Sequence, residues 1–448
     1  MSAILLSDIP IKPALTKRQA STPPVDHNWY ESVISRFFYN GRSFAFRGGS
    51  GSYIPLGGDS AVRQHLANIG IQRHDMGKAL CDIRETQMVS YIGEIAGLPP
   101  GLHECNGSKA LVTKGPHIIE GKEGEDTFVM DMLKGLLTDP EHPEQLGVFL
   151  DWLAHARRAV LKGKRTQTPA IALVGGRGAG KSLAIEIINR SLGNRTAKAY
   201  QYFSGDNRFN ADLVGTELLV IDDDAASRDP RSRVAFAQNL KSNLFSASFR
   251  VEGKGTNAVQ TQPVHALAIA VNEDPEHLRV LPEIDESMED KISLFRVQQA
   301  PIPHGSGYSY VSDMLTKGMP AFLWELDIRD ISESYDHVGR LKTFWHPEIT
   351  EALGGMSPER HLLELIHQCW SVTEAINNHG EWIGTASELE ALLTDYTKPT
   401  AHSAKRLFSW SKACGTYLGR LARIHSSGVK SAGVGHKKIN RYSISGGK

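Results

Sequence analysis

The sequence predicts an α/β fold. A parallel-sheet core carries a glycine-rich loop, with a small α+β domain before it and a basic module after it. Three observations carry this reading. The apolar run Ala170 to Val174 is followed by Gly175-Gly176-Arg177-Gly178-Ala179-Gly180-Lys181-Ser182 and then by the periodic segment Leu183 to Ile188, a strand, a loop and a helix in succession. The apolar runs Leu218 to Ile221, Phe249 to Val251 and Ala266 to Val271 alternate with helical stretches and read as further strands of the same sheet. From Lys398 to Lys448 basic residues recur and no Asp or Glu occurs.

At 448 residues the chain has room for about three domains. Residues 1–26 lack periodicity and read as a flexible leader. Residues 27–124 read as a small α+β domain. Its strands, Phe37-Phe38-Tyr39, Phe44-Ala45-Phe46 and Ser52 to Pro55, are separated by Asn40-Gly41 and Gly48 to Gly51 turns, and a helix capped by Ser60 stops at Gly70. Residues 125–325 hold the core, opened by an amphipathic helix whose buried side is Phe149, Leu150, Leu153, Ala156 and Val160. Residues 326–397 are expected to form a helical connector, and residues 398–448 a separate basic module.

Composition narrows the function classes. No apolar run approaches the ~20 residues of a membrane span, and no export signal opens the chain. Cys81, Cys105, Cys369 and Cys414 are far apart, without metal-ligand spacing, and read as free thiols in a reducing bacterial cytoplasm. His103-Glu104-Cys105 reads as structural. Net charge is +0, but the wholly basic C-terminal stretch is an electrostatic footprint for a polyanion.

The loop Gly175 to Ser182 fits G-x-x-x-x-G-K-[ST] in the strand–loop–helix setting that pattern requires. Its glycines let backbone N–H groups surround the phosphates of ATP. Lys181 reaches the β/γ-phosphates, and the Ser182 hydroxyl ligates Mg²⁺. Asp222-Asp223-Asp224 ends a later strand; Asp222 is expected to hold the metal and Asp223 to polarise the attacking water. Asn272 ends another strand and is placed to orient that water. Between them lie Lys241, Arg250 and Lys254. The stretch Ser248 to Asn257 also reads as a hairpin with Lys254 between glycines at its tip, either a contact to a phosphate backbone or a solvated turn.

This ordered set resembles the superfamily 3 helicases, an AAA+ branch found in viruses, phages and mobile elements. It is most similar to the helicase part of phage and plasmid primase-helicases. Trp152-Leu153-Ala154 and Asn207-Arg208-Phe209-Asn210 look like theirs, and the resemblance covers about residues 125–300. It implies a homo-oligomeric ring, a hexamer, that threads single-stranded DNA, as most relatives do in the 3′ to 5′ direction, with the Lys254 hairpin gripping the strand. ATP would bind between subunits, completed by a basic residue of the neighbour. Lys291 matches that position by spacing, with Arg279 and Arg296 as alternatives. Relatives use arginine there, whose planar fork clamps a phosphoryl group better than lysine does. No primase-like constellation precedes the core, so a separate primase or polymerase is the expected partner.

The basic stretch reads as helix, helix, then a basic turn into a β-ribbon. It resembles the C-terminal winged-helix modules of phage replication helicases. Its candidate contacts to duplex DNA are Lys405, Arg406, Lys412, Arg420, Arg423, Lys437, Lys438 and Arg441. The expected function is therefore an ATP-dependent DNA helicase for replication of a phage or mobile element. Two rivals remain: an ATP-switched initiator that unwinds nothing, and a small-molecule kinase using the same loop.

Overall fold

The structure, a computed structural model, describes residues 27–222, 230–246, 248–252, 259–278, 280–282, 288–299, 307–355, 358–370, 381–408, 410–423, 427–434 and 440–445. The expected leader and the candidate residues Asp223, Lys254, Arg279, Lys437 and Lys438 lie outside them. The chain divides into two compact units, Met1–His346 and Pro347–Lys448.

The first unit opens with α1 (His27–Ile34), β1 (Phe37–Tyr39), β2 (Phe44–Arg47), β3 (Tyr53–Leu56), α2 (Asp59–Ile69) and α3 (Met76–Thr86). Strands β1, β2 and β3 form an antiparallel sheet in which Phe37 faces Phe46 and Tyr39 faces Phe44. Asn40 sets the first turn: its Oδ1 accepts from the backbone N of Arg42 (3.1 Å) and of Ser43 (2.8 Å). Gly41, at φ 88°, supplies the left-handed step. Helix α2 begins one residue before Ser60. Gly58 is its N-cap and no side chain caps it, so the expected Ser60 cap does not form; Gly70 ends the helix in the left-handed region as expected. A second small sheet follows, from β4 (Tyr91–Gly93), β5 (Gly101–Cys105) and β6 (Ser108–Val112), in the order β4-β6-β5.

The core then runs α4 (Phe128–Leu137), α5 (Glu144–Lys162), β7 (Ala170–Val174), α6 (Lys181–Leu192), β8 (Thr196–Lys198), α7 (Tyr200–Phe203), β9 (Leu218–Asp222), α8 (Pro230–Leu244), β10 (Phe249–Val251), β11 (Val259–Thr261), β12 (Ala266–Val271), α9 (Pro275–Leu278), β13 (Ile292–Arg296) and α10 (Tyr308–Ile328). Five strands make one parallel sheet in the order β13-β7-β12-β9-β8. Strands β7 and β12 are buried throughout, as expected of a parallel sheet covered on both faces. Phe249 to Val251 does not join it. That run pairs antiparallel with β11 as a separate two-stranded hairpin, with Arg250 opposite Gln260. Three residues alternating buried, exposed, buried suit a half-solvated ribbon better than a central strand.

Helix α5 buries Phe149, Leu150, Leu153, Ala156 and Val160, as its periodicity requires. It also buries Arg157, whose guanidinium ties three elements together. It donates to Asp327 (Nε–Oδ1 2.7 Å), to Ser191 O (2.8 Å) and to Ile119 O (2.8 Å). A second buried tie joins the N-terminal segments to the core. Glu217, with no exposed surface, accepts from the Gly97 backbone N (2.8 Å) and from Arg195 Nε (2.9 Å), and Arg195 also reaches Glu94 (2.9 Å). Both charges are fully partnered, the condition under which burial is tolerated.

The second unit holds α11 (Pro347–Gly355), α12 (Pro358–Trp370), β14 (Glu381–Thr385), α13 (Ala386–Thr394), α14 (Ala401–Leu407), α15 (Ala413–Leu421), β15 (Val429–Val434) and β16 (Asn440–Ser445). Its antiparallel sheet has the order β14-β16-β15. Thr385 and Glu388 form a capping box on α13, so the strand passes directly into the helix. The unit starts at Pro347, not at Lys398. The stretch expected as a connector supplies β14, α12 and α13, and Leu362, Leu365 and Leu389 pack in one core with Leu418, Tyr442 and Ile444. The basic stretch alone has too few apolar residues to close that core.

Among the described residues no helix is long and apolar enough to cross a membrane. All four cysteines are free thiols, and only Cys81 is exposed.

Candidate nucleotide site and nucleic-acid surfaces

The glycine-rich loop leaves the C-terminal end of β7 and opens α6. Its glycines are there for geometric reasons. Gly178 (φ 76°) and Gly180 (φ 113°) occupy the left-handed region, and a Cβ on Gly175 would collide with the carbonyl of Val297. Gly180 is the N-cap of α6 and no side chain caps the helix, so the positive end of the helix dipole faces the loop. Arg177 and Ser182 are exposed, and Ala179 is buried under the loop.

Lys181 folds back across the loop. Its Nζ donates to Gly175 O (2.7 Å), Gly176 O (3.0 Å) and Asn272 Oδ1 (2.7 Å). Two residues singled out on separate sequence grounds are therefore in direct contact. Asn272 immediately follows β12, which lies between β7 and β9. Asp222 ends β9 in register with Ala270 of β12, so its carboxylate sits at the same C-terminal edge of the sheet. Glu273, next to Asn272, brings its Oε1 beside Gly176.

The residues present fit a divalent cation held with a phosphate ligand. Ser182 offers a hydroxyl in the first turn of α6, Asp222 offers a partly exposed carboxylate, and both are hard oxygen donors. Asp222 already attracts a cation, since Lys198 Nζ lies 3.4 Å from its Oδ2. Among the described residues no group of three or more His, Cys, Asp or Glu side chains is arranged to hold a metal by itself. Magnesium commonly completes its shell with phosphate oxygens and water.

The candidate trans-acting residues occupy opposite ends of β13. Arg296 is in register with Val174, at the loop edge, with Gln145 bonded to both its backbone N (2.7 Å) and O (3.1 Å). Lys291 precedes Ile292, which pairs with Ala170, so it sits at the far edge. It is engaged there by Asp290, and its Nζ is 4.4 Å from the centre of the Phe245 ring.

Of the candidate DNA contacts, Lys241 is half-buried near the end of α8. Arg250 is exposed on β10 and paired with Glu252 at 2.8 Å. In the second unit Lys405, Arg406, Lys412, Arg423 and Arg441 are exposed. Arg420 is exposed too, but it anchors α15 to α12 through Glu359 at 2.9 Å. Sequence reasoning missed Lys198 and Glu273. A lone lysine ending a three-residue strand belongs to no motif; Glu273, directly after Asn272, was within reach of the sequence.

A family of unknown function, DUF5906, matches residues 173–288, the span from the loop through Asn272. No curated protein matches the chain. Its structure is similar to solved apo structures of the C-terminal region of NrS-1. The A form shares 13% identity at a TM-score of 0.56, covering 93% of this chain and 98% of that one. An apo structure of NrS-1 residues 305–718 gives the same identity, coverage and TM-score, and a further A-form structure gives 0.53. The likeness is one of fold, and it takes in nearly the whole of each chain.

Proposed function

We propose that this chain is an ATP-dependent DNA helicase of the AAA+ superfamily 3 type, working as a homo-oligomeric ring in the replication of a phage or mobile element. The observation that carries the reading is the contact between Lys181 and Asn272 at 2.7 Å, at a sheet edge shared with Asp222. Three signatures far apart in sequence meet where the phosphates of ATP would lie. The strand order supports this, since β12 between β7 and β9 sets Asn272 beside the loop and Asp222 one strand further out.

ATP with Mg²⁺ supplies the scissile phosphoanhydride bond and the metal that neutralises its developing charge. The α6 N-terminus binds the phosphates, and Lys181 leaves Gly175 O, Gly176 O and Asn272 to meet them. Ser182 and Asp222 would hold the metal. Asn272, released from Lys181, orients water. Arg250 and the exposed basic residues of the second unit meet DNA. In that unit the run from α12 onward, a helix, a strand, three helices and two strands, with β14 on the edge beside β16, supports a winged-helix reading. NrS-1 likeness, being of fold, is compatible with a replication role without specifying the activity.

A forked-DNA strand-displacement assay tests the proposal. The native chain with ATP and Mg²⁺ separates the strands, and Lys181→Ala does not. If the native chain hydrolyses ATP but displaces no strand, the reading passes to an ATP-switched initiator. That alternative draws support from Lys291, whose ammonium is already held by Asp290 and Phe245.

A further inference from the structure

At the foot of the β10–β11 hairpin lies a cavity of about 280 Å³, walled by the segment after α7, by α8 and by β10. One residue fixes its hairpin wall. Asn210 is 1% exposed and brackets β10: its backbone N donates to Glu252 O (3.1 Å), its Nδ2 to Arg250 O (2.8 Å), and its Oδ1 accepts from Glu252 N (2.7 Å). A single asparagine thus satisfies the edge of β10 that β11 leaves open. Val214, Phe249 and Val251 pack beneath it. The wall is therefore rigid, and Arg250 projects from a fixed strand.

The polar groups around the cavity are only partly committed. Asn239 Nδ2 donates to Tyr202 O (3.2 Å) and Phe203 O (3.0 Å), which holds α8 against α7. Asn207 Oδ1 accepts from Phe209 N (3.0 Å), while its amide nitrogen makes no hydrogen bond among the described residues. Arg208 is exposed, with its guanidinium 5.1 Å from the Phe209 ring centre, and has no carboxylate partner among the described residues. Arg250 is paired with Glu252, but the arginine is 64% exposed, and exposed pairs of this kind exchange readily for a better anion.

We propose that this cavity is a subsite for one nucleotide of single-stranded DNA. Arg208 and Arg250 hold the phosphodiester, and the amide of Asn207 meets the sugar or base edge. A guanidinium without a carboxylate, a second one held loosely and an uncommitted amide donor match that chemistry. The cavity is smaller than the ~300–1,000 Å³ of ordinary small-molecule pockets, which suits one unit of a polymer. The assignment rests on the reading that the hairpin handles DNA, and the test separates the two.

The probe is a fluorescein-labelled oligothymidylate, titrated by anisotropy with the full chain at several salt concentrations. Arg208→Ala is expected to weaken binding about tenfold or more, and to make the slope of log K against log salt shallower by about 0.7, the share of one single-strand phosphate contact. Arg208→Lys retains the slope and recovers part of the affinity. Circular dichroism melting checks that the exposed substitution leaves the fold intact. If the native chain binds and Arg208→Ala matches it in affinity and slope, the subsite is wrong while the DNA reading stands. If the native chain does not bind the oligonucleotide at all, the DNA reading falls and the subsite with it.

Discussion

Replacing Asn272 by alanine should move ATP affinity and turnover in opposite directions. In the resting site Lys181 Nζ is bonded to two loop carbonyls and to Asn272 Oδ1, at 2.7, 3.0 and 2.7 Å. To meet the phosphates the ammonium must give these up. A hydrogen bond to a charged group is worth about 1.5–3 kcal/mol, so removing one lowers the cost of the swing by up to that amount. Water entering the half-buried site replaces part of the lost bond. The lower end applies, and ATP should bind about tenfold more tightly. Turnover should fall about a hundredfold or more, because the group that orients the attacking water is gone. Affinity is read by titration with a fluorescent, slowly hydrolysed ATP analogue, and kcat from phosphate release at saturating ATP. Weaker binding with unchanged kcat would refute the reasoning, since Asn272 would then be a plain ligand of the nucleotide rather than the partner that holds Lys181 in reserve.

Other outcomes follow from the same contacts. Lys181→Ala should reduce ATP hydrolysis by at least about a hundredfold, measured as phosphate release. Asp327→Ala leaves the Arg157 guanidinium buried without its carboxylate and should destabilise the first unit by about 3–5 kcal/mol, read as an earlier transition in urea. Burial pushes the pKa of His265 down to about 3 and that of His155 down to about 4, against an ordinary 6.5. Neutral in the fold, they contribute stability that is complete above pH 6.5 and lost as pH falls towards those values, at about 1.4 kcal/mol per pH unit for each histidine. Urea midpoints from pH 7 to pH 4 should therefore fall less steeply in His265→Gln than in the native chain; equal slopes would remove His265 from the account. Replacing Lys405, Arg406 and Lys412 together by alanine should flatten the salt dependence of duplex binding by up to about 2.7 in log–log slope, if each meets one phosphate.

Local chemistry was legible where the backbone itself does the work. Gly178 and Gly180 are needed because their φ angles exclude other residues, and a loop of that kind between a strand and a helix has few other uses. The α5 face followed from its 3.6-residue period, and the Asn40 turn from a side chain that bonds its own backbone. Phe249 to Val251 was read both as a strand of the main sheet and as part of a hairpin, and only the hairpin holds; three apolar-leaning residues fit a central strand and a ribbon equally well. The boundary at Pro347 was missed because β14 and β16 are partners far apart in sequence, and pairing at that distance leaves no local mark.

The order of amino acids by itself determined the loop, the strand that delivers it and the basic character of the C-terminal stretch. Each depends on φ angles, side-chain period or charge within a dozen or so residues. Only the tertiary structure decided that β12 lies between β7 and β9, that Lys181 rests on Asn272, that Lys198 sits beside Asp222, and that Asn210 brackets β10. Those arrangements come from burying both faces of one sheet and satisfying its buried polar groups, a requirement on the whole chain that no short window of residues records.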